Sequence, residues 1–353
     1  MEGWFAPEKN VCREGWEKRM LKKMNQKKMV ALAIGAVLAV GVLTGCGGEK
    51  KEPAKATAKV HQVGVLQLVQ HGALDASNKG FVDGLASKGF KDGVNVKIDQ
   101  QNAQGDQSNL KTISQRFVNN KVDLIHAIAT PAAQIVANTT KTIPIVGSAI
   151  VDYKTAKLVQ SVEKPGGNIT GTSNHNPPSR QIDLALKLVP NAKKVGALYT
   201  SSELNSQLQV AAMKAYAATK GLTVIEATVT NVNDIQQAVQ SLLGKVDFIY
   251  CPTDNTIASA MSNIVKITVP AKLPVFLGDE APVRSGGATA GASVNFYKLG
   301  FQAGEMAADI LSGKSKPADM PIGFQQDVKV LINKKSAEAI GLKIPADLLK
   351  SVE

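Results

Sequence analysis

From residue 60 onward, short β-branched runs alternate with stretches whose apolar residues recur at helical spacing, and the alternation restarts near residue 190. Strands alternating with helices form βαβ units around a parallel sheet, so this pattern restricts the chain to an α/β fold. The first round predicts strands over 63–69, 94–101, 124–129, 143–148 and 168–173. Phe81, Val82 and Leu85 share one face of a helix over 77–88 that stops at Gly89. Asp106 caps a helix in which Leu110, Ile113 and Phe117 repeat at helical spacing. The second round predicts strands over 194–199, 223–228, 248–251 and 274–277, with helices over 205–219, 232–243 and 257–266. An extended Gly/Ala-rich run over 288–294 follows, then helices over 299–311 and 335–340. No fixed-period repeat is visible, so the halves share an architecture rather than a sequence. With 353 residues, two domains can each bury a core. The expectation is two α/β lobes with parallel sheets joined by a hinge: 60–172 plus 292–318 as lobe 1, 173–291 plus 319–353 as lobe 2. The lobe crossings are expected near 172–174, 288–292 and 319–322.

The N-terminus reads as an address. A basic cluster (Lys22, Lys23, Lys27, Lys28) precedes an apolar run over 29–43, which is too short for a spanning helix. Leu43-Thr44-Gly45-Cys46 matches a bacterial lipobox, so residues 1–45 are expected to be removed and Cys46 lipidated. Residues 1–19 have no role in this scheme, and Met20 or Met24 is the expected start. Residues 46–59 form a polar tether. The expected location is the cell envelope, secreted and lipid-anchored to a bacterial membrane. Of the three cysteines, Cys12 is lost, Cys46 is acylated and Cys251 lies in the apolar run FIYC, where it reads as packing. Residues 1–45 hold eight basic and four acidic side chains; the 33 basic and 25 acidic ones that remain are scattered. That is a solvated basic surface, and no nucleic-acid partner is expected.

Signatures of catalysis are missing: there is no P-loop, no G-x-G-x-x-G after a strand, no G-x-S-x-G and no H-E-x-x-H. The four histidines (61, 71, 126, 175) lack metal-ligand spacing, so neither metal nor cofactor is expected. What recurs is a polar loop after each strand, where open parallel sheets bind ligands. In the first half these loops run over 67–75, 129–133 and 147–149, and offer hydroxyls and backbone N–H groups. In the second they run over 200–203, 252–256 and 278–280, and offer carboxylates. A zwitterion such as an α-amino acid needs both.

At these loops the sequence resembles the ABC-transporter substrate-binding lipoproteins that bind tryptophan, tyrosine or phenylalanine. The carrying stretches are GVLQLVQHGALDASNKGFVDGL, QNAQGDQSNLKTI, AIATPAAQIVAN, KPGGNITGTS, YTSSELNSQLQV, CPTDNTIASA and VFLGDEAPVRSGG, which together span most of the chain after residue 60. The resemblance implies a type I periplasmic-binding-protein fold with Rossmann-like lobes, and delivery to ABC permease subunits. It implies that Thr130 and Ser148 hold the ligand carboxylate, that Asp279 takes the ammonium, and that Thr253 and Asn255 line the opposite wall. Gln67, His71, Pro131, Ala132, Ala149 and Ser202 complete the expected ligand-binding set. The sequence departs from the family at His71-Gly72, where His-Pro is frequent, and at Asn174, where Asp is common.

The function expected is thus a monomeric, lipid-anchored solute receptor for an amino acid, aromatic or large and apolar, and not an enzyme. A nucleoside or sugar receptor on the same fold would want aromatic stacking surfaces, yet aromatics are 5% of residues. A surface hydrolase would use Glu203, Asp254 or Asp279. A transcription regulator would need a DNA-binding helix pair where the lipobox stands.

Overall fold

The computed structural model describes residues 59–325 and 327–353. The signal segment, Cys46 and the tether up to residue 58 lie outside the described residues. The first sheet contains β1 (His61–Gln67), β2 (Val96–Asn102), β3 (Leu124–Ile128), β4 (Ile145–Ile150), β5 (Ile169–Ser173) and, late in the chain, β11 (Gly323–Phe324). Its order is β11-β5-β4-β3-β1-β2, and every neighbouring pair is parallel. The second contains β6 (Lys194–Thr200), β7 (Thr223–Val229), β8 (Phe248–Cys251), β9 (Val275–Leu277), β10 (Ala290–Ser293) and β12 (Lys329–Ile332). Its order is β12-β10-β9-β8-β6-β7, parallel except for β10 against β12. The expected α/β fold of two parallel-sheet lobes is therefore present, and both sheets reverse their strand order beside their first strand. At such a switch point the loops diverge and leave a crevice at the carboxyl ends of the strands.

Central strands are buried on both faces, which explains why β8 reads as an unbroken apolar run and β3 as one interrupted only by His126, instead of alternating. The helices of lobe 1 are α1 (Gly72–Ser87), α2 (Gln107–Asn119) and α3 (Thr130–Thr139). Lobe 2 holds α4 (Pro178–Leu188), α5 (Leu204–Thr219), α6 (Ile235–Leu242), α7 (Asn255–Ser259), α8 (Met261–Thr268) and α9 (Glu280–Arg284). The chain then returns to lobe 1 for α10 (Phe296–Leu311) and to lobe 2 for α11 (Lys334–Ile340). Side-chain caps set several starts: Asp106 accepts from Asn109 N, Asp254 from Ile257 N and Asn295 from Lys298 N. Among the described residues no helix is long and apolar enough to cross a membrane.

Strand pairing moves the lobe boundaries. Residues 288–292 do not cross between lobes: β10 pairs with β9 and β12 and belongs to the second sheet up to Ser293. Residues 319–322 do not cross either, because the chain continues into β11, which pairs with β5 in the first sheet. The passages between sheets lie after β5, between β10 and α10, and between β11 and β12. They brace one another laterally. Asn176 Nδ2 and Gln181 Nε2 both donate to Ala292 O at 2.6 Å, and Asn295 N donates to Gln325 Oε1 at 3.0 Å.

Helix α10 lies against α1 along a seam of glycines spaced four apart on each helix, Gly80 and Gly84 facing Gly300 and Gly304. A Cβ at Gly300 would lie 1.9 Å from Ser77 O, and one at Gly84 would lie 2.1 Å from Phe301 O. These are backbone atoms, so the helices would have to separate. Alanine normally gains about 0.5–1 kcal/mol over glycine inside a helix. At this seam the overpacking term, about 1–3 kcal/mol, outweighs that gain. Gly300→Ala is therefore expected to lower the melting temperature; an unchanged or raised value would mean the seam does not fix the approach of the two helices.

Candidate functional site

The carboxyl ends of both sheets face one another, and their loops enclose a small cavity. Lobe 1 supplies His71 and Leu74 from the start of α1, Ala149 and Val151 from the end of β4, and Phe296 from the start of α10. Asn174 enters from the first passage. Lobe 2 supplies Asn205 at the start of α5, Thr253, Asp254 and Asn255 around the β8–α7 turn, and Asp279 ahead of α9. An outer cleft lies between Leu68, Val69, Gln104 and Pro131 on one lobe and Ser202, Glu203, Asn231 and Thr256 on the other. Asn255 borders both spaces.

Three carboxylates sit in or beside the cavity, and their partners give them different roles. Asp254 accepts from Thr200 N (2.6 Å), Thr200 Oγ1 (2.9 Å), Ser206 Oγ (2.8 Å) and Ile257 N (2.9 Å). Burial raises its pKa while those hydrogen bonds oppose the rise, so it is a saturated clamp on the β6 and β8 turns. Glu203 is raised to about 7 by burial and by the charge of Asp254, against hydrogen bonds from Asn205 and Asn255. Asp279 is 2% exposed. Its Oδ1 accepts one backbone hydrogen bond, from Ala281 N at 3.0 Å. Burial pushes it up to about 7; that N–H opposes the rise, and the neighbouring Glu280 charge adds to it.

Across the lobe boundary, His71 Nδ1 lies 4.0 Å from Asp279 Oδ2. This is not an ion pair, because burial lowers His71 to about 4 and leaves it neutral. The lobes touch directly where His71 Nε2 meets Asn255 Oδ1 at 3.4 Å and where Gly72 abuts Ala281. Three cavity-lining polar atoms are buried without a partner: His71 Nδ1, Asn174 Oδ1 and Asn205 Oδ1. Buried polar atoms are ordinarily paired, so their convergence on one cavity marks where a ligand's hydrogen-bond donors belong.

Of the residues singled out in the sequence, His71, Ala149, Thr253, Asn255 and Asp279 line this cavity. Pro131 and Ser202 line the outer cleft. Gln67 Nε2 instead donates to Val69 O and Asp75 Oδ1, bracing the β1–α1 turn that carries His71. Ala132 is buried within α3. Thr130 begins α3, its Oγ1 buried and unpartnered, but it does not line the cavity. Leu74, Val151, Asn174, Asn205, Asp254 and Phe296 also line the cavity and lie outside the expected ligand-binding set. Asn205 was signalled only by its place two residues after Glu203, and Phe296 by following an Asn cap at a lobe passage.

A two-lobed α/β protein that encloses a polar-lined cavity between the strand ends of its lobes has the build of a solute receptor. Residues 62–353 match the family model for ABC transporter substrate binding proteins, and the chain belongs to that family. It is 40% identical over 337 residues to the tyrosine-binding protein of Clostridioides difficile, a match covering 94% of this chain and 97% of that one. Among solved structures, an ABC domain from Streptococcus pneumoniae in complex with L-Trp is 44% identical with a TM-score of 0.80, covering 83% of this chain and 99% of its own. The ligand-free, open structure of a substrate binding protein from Clostridium difficile is 42% identical over the same shares, with a TM-score of 0.64. At near-equal identity, the lobes here thus lie closer to the arrangement of the L-Trp complex.

Ser148, like Gln67, turns its side chain away from the cavity. Its Oγ lies 2.8 Å from Ser77 Oγ and 3.2 Å from His126 Nε2, inside lobe 1. His126 in turn stacks on Phe81 with ring centroids 3.8 Å apart and bonds Val146 O through Nδ1 at 2.8 Å. Ser148→Ala would strand Ser77 and His126 and is expected to cost about 1–3 kcal/mol of stability with ligand affinity unchanged. Thermal denaturation and calorimetry on one preparation decide it; lost affinity at unaltered stability would return this hydroxyl to the ligand.

Proposed function

We propose that this protein is the receptor of an ABC importer for an aromatic amino acid, closing its lobes over the ligand and presenting the closed form to the permease. The observation that carries the reading is the acceptor lining of the interlobe cavity. His71 Nδ1, Asn174 Oδ1 and Asn205 Oδ1 are buried and unpartnered beside Asp279, a buried carboxylate facing no cation. A buried carboxylate without a counter-charge is costly, and an ammonium offers the charge together with several N–H donors. Leu74, Val151 and Phe296 supply an apolar wall for a side chain. Thr253 Oγ1 accepts from Gln209 Nε2 at 3.3 Å, which leaves its own proton free for the ligand carboxylate. Relatives named for tyrosine binding, or solved with L-Trp, support the same ligand class. The function asks no bond-making chemistry of the site.

Asp279→Asn removes the charge at nearly constant shape. Affinity for the preferred member of L-tryptophan, L-tyrosine and L-phenylalanine should fall about 30-fold or more, the equivalent of about 2–5 kcal/mol for a charged pair deprived of one partner. Calorimetry reads this directly. Affinity within a few-fold of the parent would take Asp279 out of the site, and no heat from any amino acid with the parent would favour a nucleoside or sugar.

The same reading makes the receptor a monomer tethered to the membrane through a diacylated Cys46, which the Leu43-Thr44-Gly45-Cys46 motif behind a basic and apolar leader supports. Palmitate labelling in a bacterial host should mark the parent and not Cys46→Ala, which should leave the membrane fraction. A labelled, membrane-bound Cys46→Ala protein would contradict the anchor.

A further inference from the structure

We propose that Glu203, which lies outside the amino-acid cavity, is a positioning residue: through Asn255 it holds the proton of His71 on Nε2, so that Nδ1 faces the ligand ammonium as a bare acceptor beside Asp279. This rests on the reading of the cavity as an amino-acid site. The relay crosses from the outer cleft to the inner cavity and from lobe 2 to lobe 1.

Its first link is Glu203. Oε2 accepts from Asn255 Nδ2 (2.5 Å), Asn205 Nδ2 (3.0 Å) and Asn255 N (3.2 Å), while Oε1 accepts from Thr256 N and Thr256 Oγ1, both at 3.2 Å. A proton arriving on this carboxyl finds an acceptor only at Thr256 Oγ1, on the Oε1 side, so Oε2 stays an acceptor toward Asn255 in either protonation state. With its NH₂ committed to Glu203, the Asn255 amide must turn Oδ1 toward His71 Nε2, 3.4 Å away. An amide oxygen cannot donate, so Nε2 carries the ring proton. The neutral ring then has only a lone pair on Nδ1, which is buried, unpartnered and 4.0 Å from Asp279 Oδ2. An ammonium, with hydrogens in several directions, bridges two acceptors at that separation. The other tautomer would point an Nδ1–H at Asp279 and compete with the ligand for the carboxylate. The relay therefore keeps the seat open to an outside cation.

Nitrogen NMR on the ¹⁵N-histidine-labelled protein, with His71 assigned by its loss in His71→Gln, reads the tautomer without ligand. The expected parent spectrum has a protonated Nε2 and an unprotonated Nδ1. In Glu203→Gln the new amide can donate to Asn255 and let it turn over, so the His71 proton should shift toward Nδ1 and affinity for the preferred amino acid should fall about tenfold. A parent His71 protonated on Nδ1 overturns the relay, and that measurement suffices even should Glu203→Gln not fold. A Glu203→Gln protein that loses affinity while its His71 tautomer stays as in the parent also overturns it, since Glu203 would then act only as scaffold. If the parent tautomer is as expected but no amino acid binds, it is the cavity's functional reading that fails, and the ammonium seat falls with it.

Discussion

The proposed binding chemistry turns on a carboxylate, Asp279, enclosed where two lobes meet and facing no cation among the described residues. Burial, with a smaller push from the Glu280 charge, lifts it to about 7, and the nearest titratable neighbour across the boundary, His71, is itself held neutral by burial. In an open cleft, water would solvate the charge; in the closed one, only a backbone N–H and a neutral ring face it. On the proposed reading, closure without a bound cation carries a desolvation cost that a ligand ammonium would remove. The other two acids differ because their donors are intramolecular: Asp254 has four and Glu203 five.

The fold serves this arrangement by routing the chain between its sheets at points that touch the cavity. The first passage carries Asn174 into the lining. The second ends at Asn295, which caps α10, and the next residue, Phe296, is part of the wall. Helix α10 is also the helix bound to α1 along the glycine seam, and α1 begins one residue after His71. In the proposed closure, the seam would hold His71 and Phe296 of lobe 1 in fixed relation while Asp279 and Asn255 of lobe 2 come against them.

Much of this was legible in the sequence because parallel strands buried on both faces run largely apolar, and because Asp and Asn announce helix starts. The α/β alternation, the two lobes and the loops that bear His71, Thr253, Asn255 and Asp279 follow from those signals. What sequence could not reveal is side-chain direction at irregular backbone. Pairing between β4 and β5 shifts register between Gly147 and Ile150, and Ala149 has φ of 55°. That irregularity leaves Ala149 on the cavity and Ser148 inside the lobe. The lobe boundaries shifted for a related reason: β11 has only two residues, and β10 is too rich in Gly and Ala to distinguish a strand from a linker. Asn174 and Asn205 look like ordinary capping or turn residues until the fold places their oxygens at the same cavity.

A crystal structure with an aromatic L-amino acid bound tests the central claim most directly. The ligand should lie between the lobes with its ammonium nitrogen about 2.7–2.9 Å from Asp279 Oδ2, the usual length of a charge-assisted hydrogen bond, and its second donor direction toward His71 Nδ1. A ligand seated elsewhere, or one turned so that its ammonium points away from Asp279, would contradict the account.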